Sequence, residues 1–176
     1  MAEYQAFDPE VEVYGQTVMS FLSGLKDEVI PVLKEFDLYP LEADQWYPQT
    51  QVLGAYEALN ERDFMNLVAV GMKIPDQAEW PPEVVTVHDA LGSLDVVYNM
   101  NHRGGEIGEY RYEKTGERSG IMFCHNPYPS DFDYGLVYRI VQKFRGADST
   151  DMLVKRDESK PSRRNGGESC TFLVLW

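Results

Sequence analysis

The chain has 176 residues, 43% of them hydrophobic, with 3 Trp, 11 Tyr and 8 Phe, which suits one globular domain over 1–176 and excludes a disordered chain. Its 16 basic and 29 acidic residues leave a net charge of −13, which repels nucleic-acid phosphate and anionic membranes, so neither is expected as a partner. No apolar run approaches the roughly 18 residues of a membrane helix, and 2 cysteines are too few for a disulfide framework, so no membrane insertion and a cytoplasmic location are expected.

Residues 1–10 read as a loose or edge segment, acidic and unlike a signal peptide. From Tyr14, the residues Val18, Phe21, Leu22, Leu25 and Val29 keep helical spacing, and Pro31 kinks that helix or starts a second one. Pro48 suits the first turn of another helix, with Val52, Tyr56 and Leu59 on one face. A further helix is expected from Asp63 to about Met72, with Phe64, Leu67, Val68 and Gly71 inward. Pro75, Pro81 and Pro82 then make a stiff surface connection. Thr86 and Asp89 have the spacing of a capping box. Val87, Ala90, Leu91, Leu94, Val97 and Tyr98 form the apolar face behind it, ended by Arg103-Gly104-Gly105.

The period then changes. Ile107 to Glu113 alternates at strand spacing, Lys114-Thr115-Gly116-Glu117 turns, and Ser119 to Cys124 returns. Ser130 can cap the next helix, and Asp131 and Asp133 place negative charge in its first turn. Phe132, Leu136, Val137, Ile140, Val141 and Phe144 line one face of it. Met152 to Arg156 and Ser169 to Leu175 make a last hairpin. The expected fold is α+β: N-terminal helices packed on a mainly antiparallel sheet built as hairpin–helix–hairpin.

In this order of elements the chain resembles the 4-vinyl reductase family. Its superfamily also holds haem–nitric-oxide-binding domains and transport-complex subunits of Golgi trafficking. The residues that carry the resemblance are Trp46-Tyr47-Pro48 before a helix, the Asn126-Pro127-Tyr128-Pro129 strand exit, the Phe132–Phe144 helix, and Gly166-Gly167-x-x-Cys170-x-Phe172. The resemblance implies a ligand-binding or assembly module, and it raises haem or another tetrapyrrole as a cofactor to be tested.

A haem needs an axial ligand, and His102, just past a helix end, is the best placed of the three histidines. The haem-binding relatives also carry a Tyr-x-Ser-x-Arg cluster for the propionates. Tyr110-Arg111-Tyr112-Glu113-Lys114 and Glu117-Arg118-Ser119 do not match it. Aromatic residues suit a pocket because they join an apolar body to a polar tip, and Trp46, Tyr56, Tyr98, Tyr110 and Tyr112 are candidate ligand-binding residues. Tyr110 and Tyr112 share one strand face.

Cys124 and Cys170 lie in strands of one sheet and are also candidates for ligand contact; their plainer reading is two small buried hydrophobes. Cys124 followed by His125 could begin a soft-metal site, and thiol redox is a further alternative, but adjacent strand residues diverge, which counts against a metal pair. Lys155, Arg156, Lys160, Arg163 and Arg164 form a basic cluster, read as a solvated hairpin tip or else as a site for an acidic partner or an anion. No nucleophile elbow, phosphate loop or zinc-protease motif is present, so no catalytic residue is assigned. The functional expectation is a non-enzymatic, sensor-like module with an apolar, aromatic-lined pocket for a small apolar molecule. It would be homodimeric and would signal through a partner protein. A ligand-free dimeric assembly protein and a haem protein are the alternatives.

Overall fold

The computed structural model describes residues 3–23, 25, 29–63, 65–149 and 151–176. Strand β1 (Glu12–Tyr14) leads directly into helix α1 (Gly15–Leu22), and α2 (Ile30–Glu35) follows with Pro31 in its first turn. Pro31 therefore starts a second helix, where its fixed φ and missing N–H cost nothing. Strand β2 (Trp46–Pro48) precedes α3 (Gln49–Glu61), so Pro48 ends a strand and stands just before the first helical turn, without a side-chain cap.

Helix α4 (Leu67–Gln77) begins later and runs further than its sequence pattern indicates. The Asn66 side chain accepts from the Ala69 N–H at its start, and Pro75 lies within its last turn. The Pro75 carbonyl is taken up by Trp80 Nε1 and Lys143 Nζ, at 2.8 and 2.6 Å. Phe64, expected inward, lies outside the described residues.

The capping box forms as read. Thr86 Oγ1 accepts from the Asp89 N–H, and Asp89 Oδ2 accepts from the Thr86 N–H. The helix behind it divides at Ser93 into α5 (Val87–Gly92) and α6 (Leu94–Met100). The break turns Val97 out to solvent, contrary to its place in the apolar pattern. Strand β3 (His102–Arg103) then joins β1 and β2 in a small antiparallel sheet, in the order β2-β1-β3.

The second half is a four-stranded antiparallel sheet of order β4-β5-β7-β6, from β4 (Glu109–Gly116), β5 (Ser119–His125), β6 (Leu153–Arg156) and β7 (Cys170–Leu175). Helix α7 (Ser130–Phe144) connects its two hairpins, which is the expected hairpin–helix–hairpin. Ser130 does not cap α7; it is the first helical residue, and the Glu3 carboxylate accepts from its N–H at 2.8 Å.

The core lies between the helices and the inner face of this sheet. Met122, Cys124, Cys170, Phe172 and Val174 face inward against Leu136, Ile140 and Val141 of α7. Helices α4 and α7 touch backbone to backbone at two glycines. A Cβ on Gly71 would fall 2.1 Å from the Phe132 carbonyl oxygen, and one on Gly135 would fall 2.1 Å from that of Val68. Among the described residues, no helix is long and apolar enough to cross a membrane.

Candidate functional site

Helix α3 places Gln49 and Tyr56 on one face, seven residues apart, and both are almost fully buried. The Gln49 backbone is anchored by its N–H to the Val11 carbonyl at 2.8 Å. Across from it, Phe21 of α1 stacks on Tyr56, with ring centroids 3.7 Å apart and planes within 5°. Phe132 closes on Phe21 at 4.9 Å, and Tyr128 lies 5.8 Å from Phe132. Tyr98 packs edge-on to both Tyr110 and Tyr128. The result is a nest of aromatic rings with polar tips turned inward.

His102 completes it. Its Nδ1 lies 2.8 Å from the Tyr98 carbonyl and its Nε2 2.7 Å from the Tyr128 hydroxyl. A carbonyl only accepts, so Nδ1 carries the proton, Nε2 accepts, and the Tyr128 hydroxyl donates. Burial lowers the His102 pKa to about 4, with the Tyr98 carbonyl opposing weakly, so the ring is neutral near pH 7. It is therefore not an exposed cation at the helix end. The Tyr98 hydroxyl donates to the Ile107 carbonyl at 2.5 Å. Burial raises the pKa of both phenols well above the ordinary value, so they remain protonated.

The Gln49 amide faces these two hydroxyls, whose oxygens can accept from its nitrogen, while its oxygen has no hydrogen-bond donor. A buried, unpaired amide oxygen is costly, on the order of 1–3 kcal/mol. Both hydroxyl protons are already committed, so neither phenol has a donor left for Gln49 Oε1.

Beside the nest is a second polar cluster. Asp133, fully buried in the first turn of α7, accepts from the Tyr110 hydroxyl at 2.6 Å and pairs with the buried Arg163 guanidinium. Arg163 Nη1 also donates to Asn126, whose amide donates to Asp133. Burial works against the Arg163 charge, but the Asp133 carboxylate outweighs it and holds the pKa above the ordinary value. Two sequence readings are corrected here. Asp133 is an interior partner and not a solvated helix-start charge. Arg163 is not part of a solvated hairpin tip, because a charge buried this deeply needs a counter-charge and Asp133 supplies it. Asp131 does sit near the surface, paired with Arg156 and Arg164.

Of the residues singled out in the sequence, Tyr56, Tyr98 and His102 belong to the nest, and Tyr110 joins it to the ion pair. Trp46 does not: it lies on β2 beneath the Arg103 guanidinium, 4.3 Å from its ring centroid. Tyr112 shares the strand face of Tyr110 but bonds His88 Nδ1 at 2.6 Å, away from the nest. Cys124 and Cys170 are direct cross-strand partners, both fully buried, and burial raises the Cys124 thiol pKa well above normal. His125 points the opposite way and stacks on Phe7.

The sequence reading missed Gln49, and it named Phe21, Asn126, Tyr128, Asp133 and Arg163 without assigning them to a site. Helical spacing could have found Gln49, which precedes Val52 by three residues and Tyr56 by seven and so falls on the same buried face. Two surface clefts among the described residues lie elsewhere. One of about 440 Å³ is lined by Glu10, Val11, Glu12, Pro48 and Gly104, and another of about 210 Å³ by Gln16, Met19, Ser20, Ser23 and Gln77.

No protein-family model and no curated protein matches the sequence. Solved structures do. A mutant of T. tengcongensis H-NOX superposes with a TM-score of 0.66 at 16% identity, over 92% of this chain and 96% of that one. An S. oneidensis H-NOX protein in the Fe(II)NO state gives 0.62 at 11% identity, over 93% and 99%. An oxygen-binding H-NOX domain related to soluble guanylate cyclases gives 0.62 at 14%, over 92% and 91%. The chain has an H-NOX-like fold. That agrees with the fold that the resemblance read from the sequence implies, while the 4-vinyl reductase family itself is not matched.

The H-NOX-like fold raises the question of haem, and the residues present do not fit one as they are packed. Phe21 and Tyr56 stack on each other in the interior, His102 Nε2 is held by Tyr128, and the buried Arg163 is committed to Asp133.

Proposed function

We propose that this H-NOX-like chain is a non-enzymatic, sensor-like module that binds a compact small molecule at the Gln49–Tyr98–Tyr128–His102 nest. The observation that carries the reading is the fully buried Gln49 amide, whose Oε1 has no hydrogen-bond donor. Native interiors seldom leave such a group unsatisfied, and each case calls for an explanation. A ligand that donates a hydrogen bond to Oε1 and stacks among the rings supplies the missing partner. The stacked interior would have to open for any such ligand, and it would have to open less for a flat molecule with a donor–acceptor edge than for a tetrapyrrole. A sensor of this kind acts through a partner protein, which responds to the ordering that the ligand brings.

Benzamide, flat and with one donor–acceptor edge, is a suitable probe. Titrated into the uniformly labelled protein, it should shift the Gln49 side-chain amide and the His102 ring resonances, and Gln49→Leu should abolish the His102 shift. A parallel titration with haemin tests the competing reading. A Soret band of one-to-one stoichiometry that His102→Gln removes would overturn the proposal in favour of a haem protein.

A further inference from the structure

Helix α7 covers one face of the four-stranded sheet, through Val154, Phe172 and Val174, and the pleat sends alternate residues to the other. On that outer face the register sets four residues side by side. Lys155 is opposite Leu173, Leu173 opposite Ile121, and Ile121 opposite Glu113. The next row places Leu153 opposite Leu175. Leu153 and Leu175 are each 47% exposed and Leu173 36%, so three leucines and Ile121 make one apolar patch. A contiguous patch of this kind marks an interaction surface, unlike scattered single residues.

Charge selects the partner. A chain of net charge −13 repels its own copies almost everywhere. The outward charges of these strands, Glu109, Arg111, Glu113 and Lys155, instead sum to zero. They are also arranged by sign, with Lys155 on the β6 edge and Glu113 on the β4 edge of the same row. We propose that this face pairs with the same face of a second copy in a two-fold dimer.

A two-fold axis parallel to the strands turns the row end for end. Lys155 of each copy then lies over Glu113 of the other, while Leu173 and Ile121 exchange places between them. The ends of the row are three strand spacings, about 14 Å, apart, and stacked sheets lie about 10 Å from each other, so both ion pairs form at the rim of an apolar centre. Such an interface is isologous: the patch is complementary to itself. This inference is independent of the ligand reading.

Sedimentation equilibrium of the full chain over a concentration series tests it. The wild type should dimerise. Lys155→Glu and Glu113→Lys should each weaken the dimer by about tenfold, because each sets like charges against each other twice. The double variant should recover the wild-type constant to within about threefold. Leu173→Glu should give monomer. All three positions are on the sheet surface, and unfolding curves will confirm that the variants fold. A wild type that stays monomeric throughout would overturn the proposal. So would a dimer indifferent to Leu173→Glu, or a double variant no better than the singles, since edge-to-edge strand pairing has no use for either.

Discussion

Burial holds the His102 imidazole neutral, with a pKa lowered to about 4 against an ordinary value near 6.5. Between those values the unfolded chain binds a proton that the folded chain refuses. The contribution is therefore intact above pH 6.5, shrinks as pH falls, and is fully lost by about pH 4, a change of roughly 3 kcal/mol. Urea unfolding of wild type and His102→Gln at pH 7, 5.5 and 4.5 should show the wild type losing more stability on acidification. Parallel curves would mean the ring is not buried as described. The Asp133–Arg163 pair supports a second expectation. Arg163→Met leaves a buried carboxylate uncompensated and should cost about 3–5 kcal/mol in urea unfolding, while Arg163→Met with Asp133→Leu should recover much of it. Neither residue's role was legible in the sequence. Asp133 sits where helix-start acids ordinarily do, and Arg163 sits among basic residues in a polar turn, so local rules placed both in solvent. Only the return of the 163–170 segment over α7 buries them together.

At the level of elements, local signals carried most of the reading. Period-2 alternation from Glu109 and from Ser119, and the Thr86–Asp89 box, set strands and a helix start that the tertiary structure keeps. The misses fall where tertiary contacts override them. Helix α4 continues through Pro75, whose carbonyl is satisfied by Trp80 and Lys143. Ser130 gives up its cap because Glu3, from the far end of the chain, takes the role. The α4–α7 contact gives an element-scale test. Alanine favours a helix interior over glycine by about 1 kcal/mol, so an exposed Gly→Ala change stabilises. At Gly71 or Gly135 the new Cβ meets a carbonyl oxygen at 2.1 Å, and each variant should instead lose about 1–3 kcal/mol net, read by thermal unfolding. A rise in Tm for either would mean that the helices are not in backbone contact.

For the molecule as a whole, the H-NOX-like arrangement was legible as an order of elements, while the site was legible only in part. Tyr56, Tyr98 and His102 could be picked out by type. Gln49 is harder to pick out, because a polar residue just after a strand reads as surface until the buried face of α3 is traced back to its first turn. The nest exchanges stability for an unfilled hydrogen-bonding position, and Gln49→Leu should reverse that exchange, raising stability by about 1–2 kcal/mol in chemical denaturation. The same substitution gives the most direct test of the binding claim: native mass spectrometry of the protein as purified, wild type beside Gln49→Leu. The account predicts a small mass increment on the wild type, well below that of a tetrapyrrole, released on denaturation and absent from Gln49→Leu. Bare polypeptide mass for both proteins, or an increment of haem size, would contradict it.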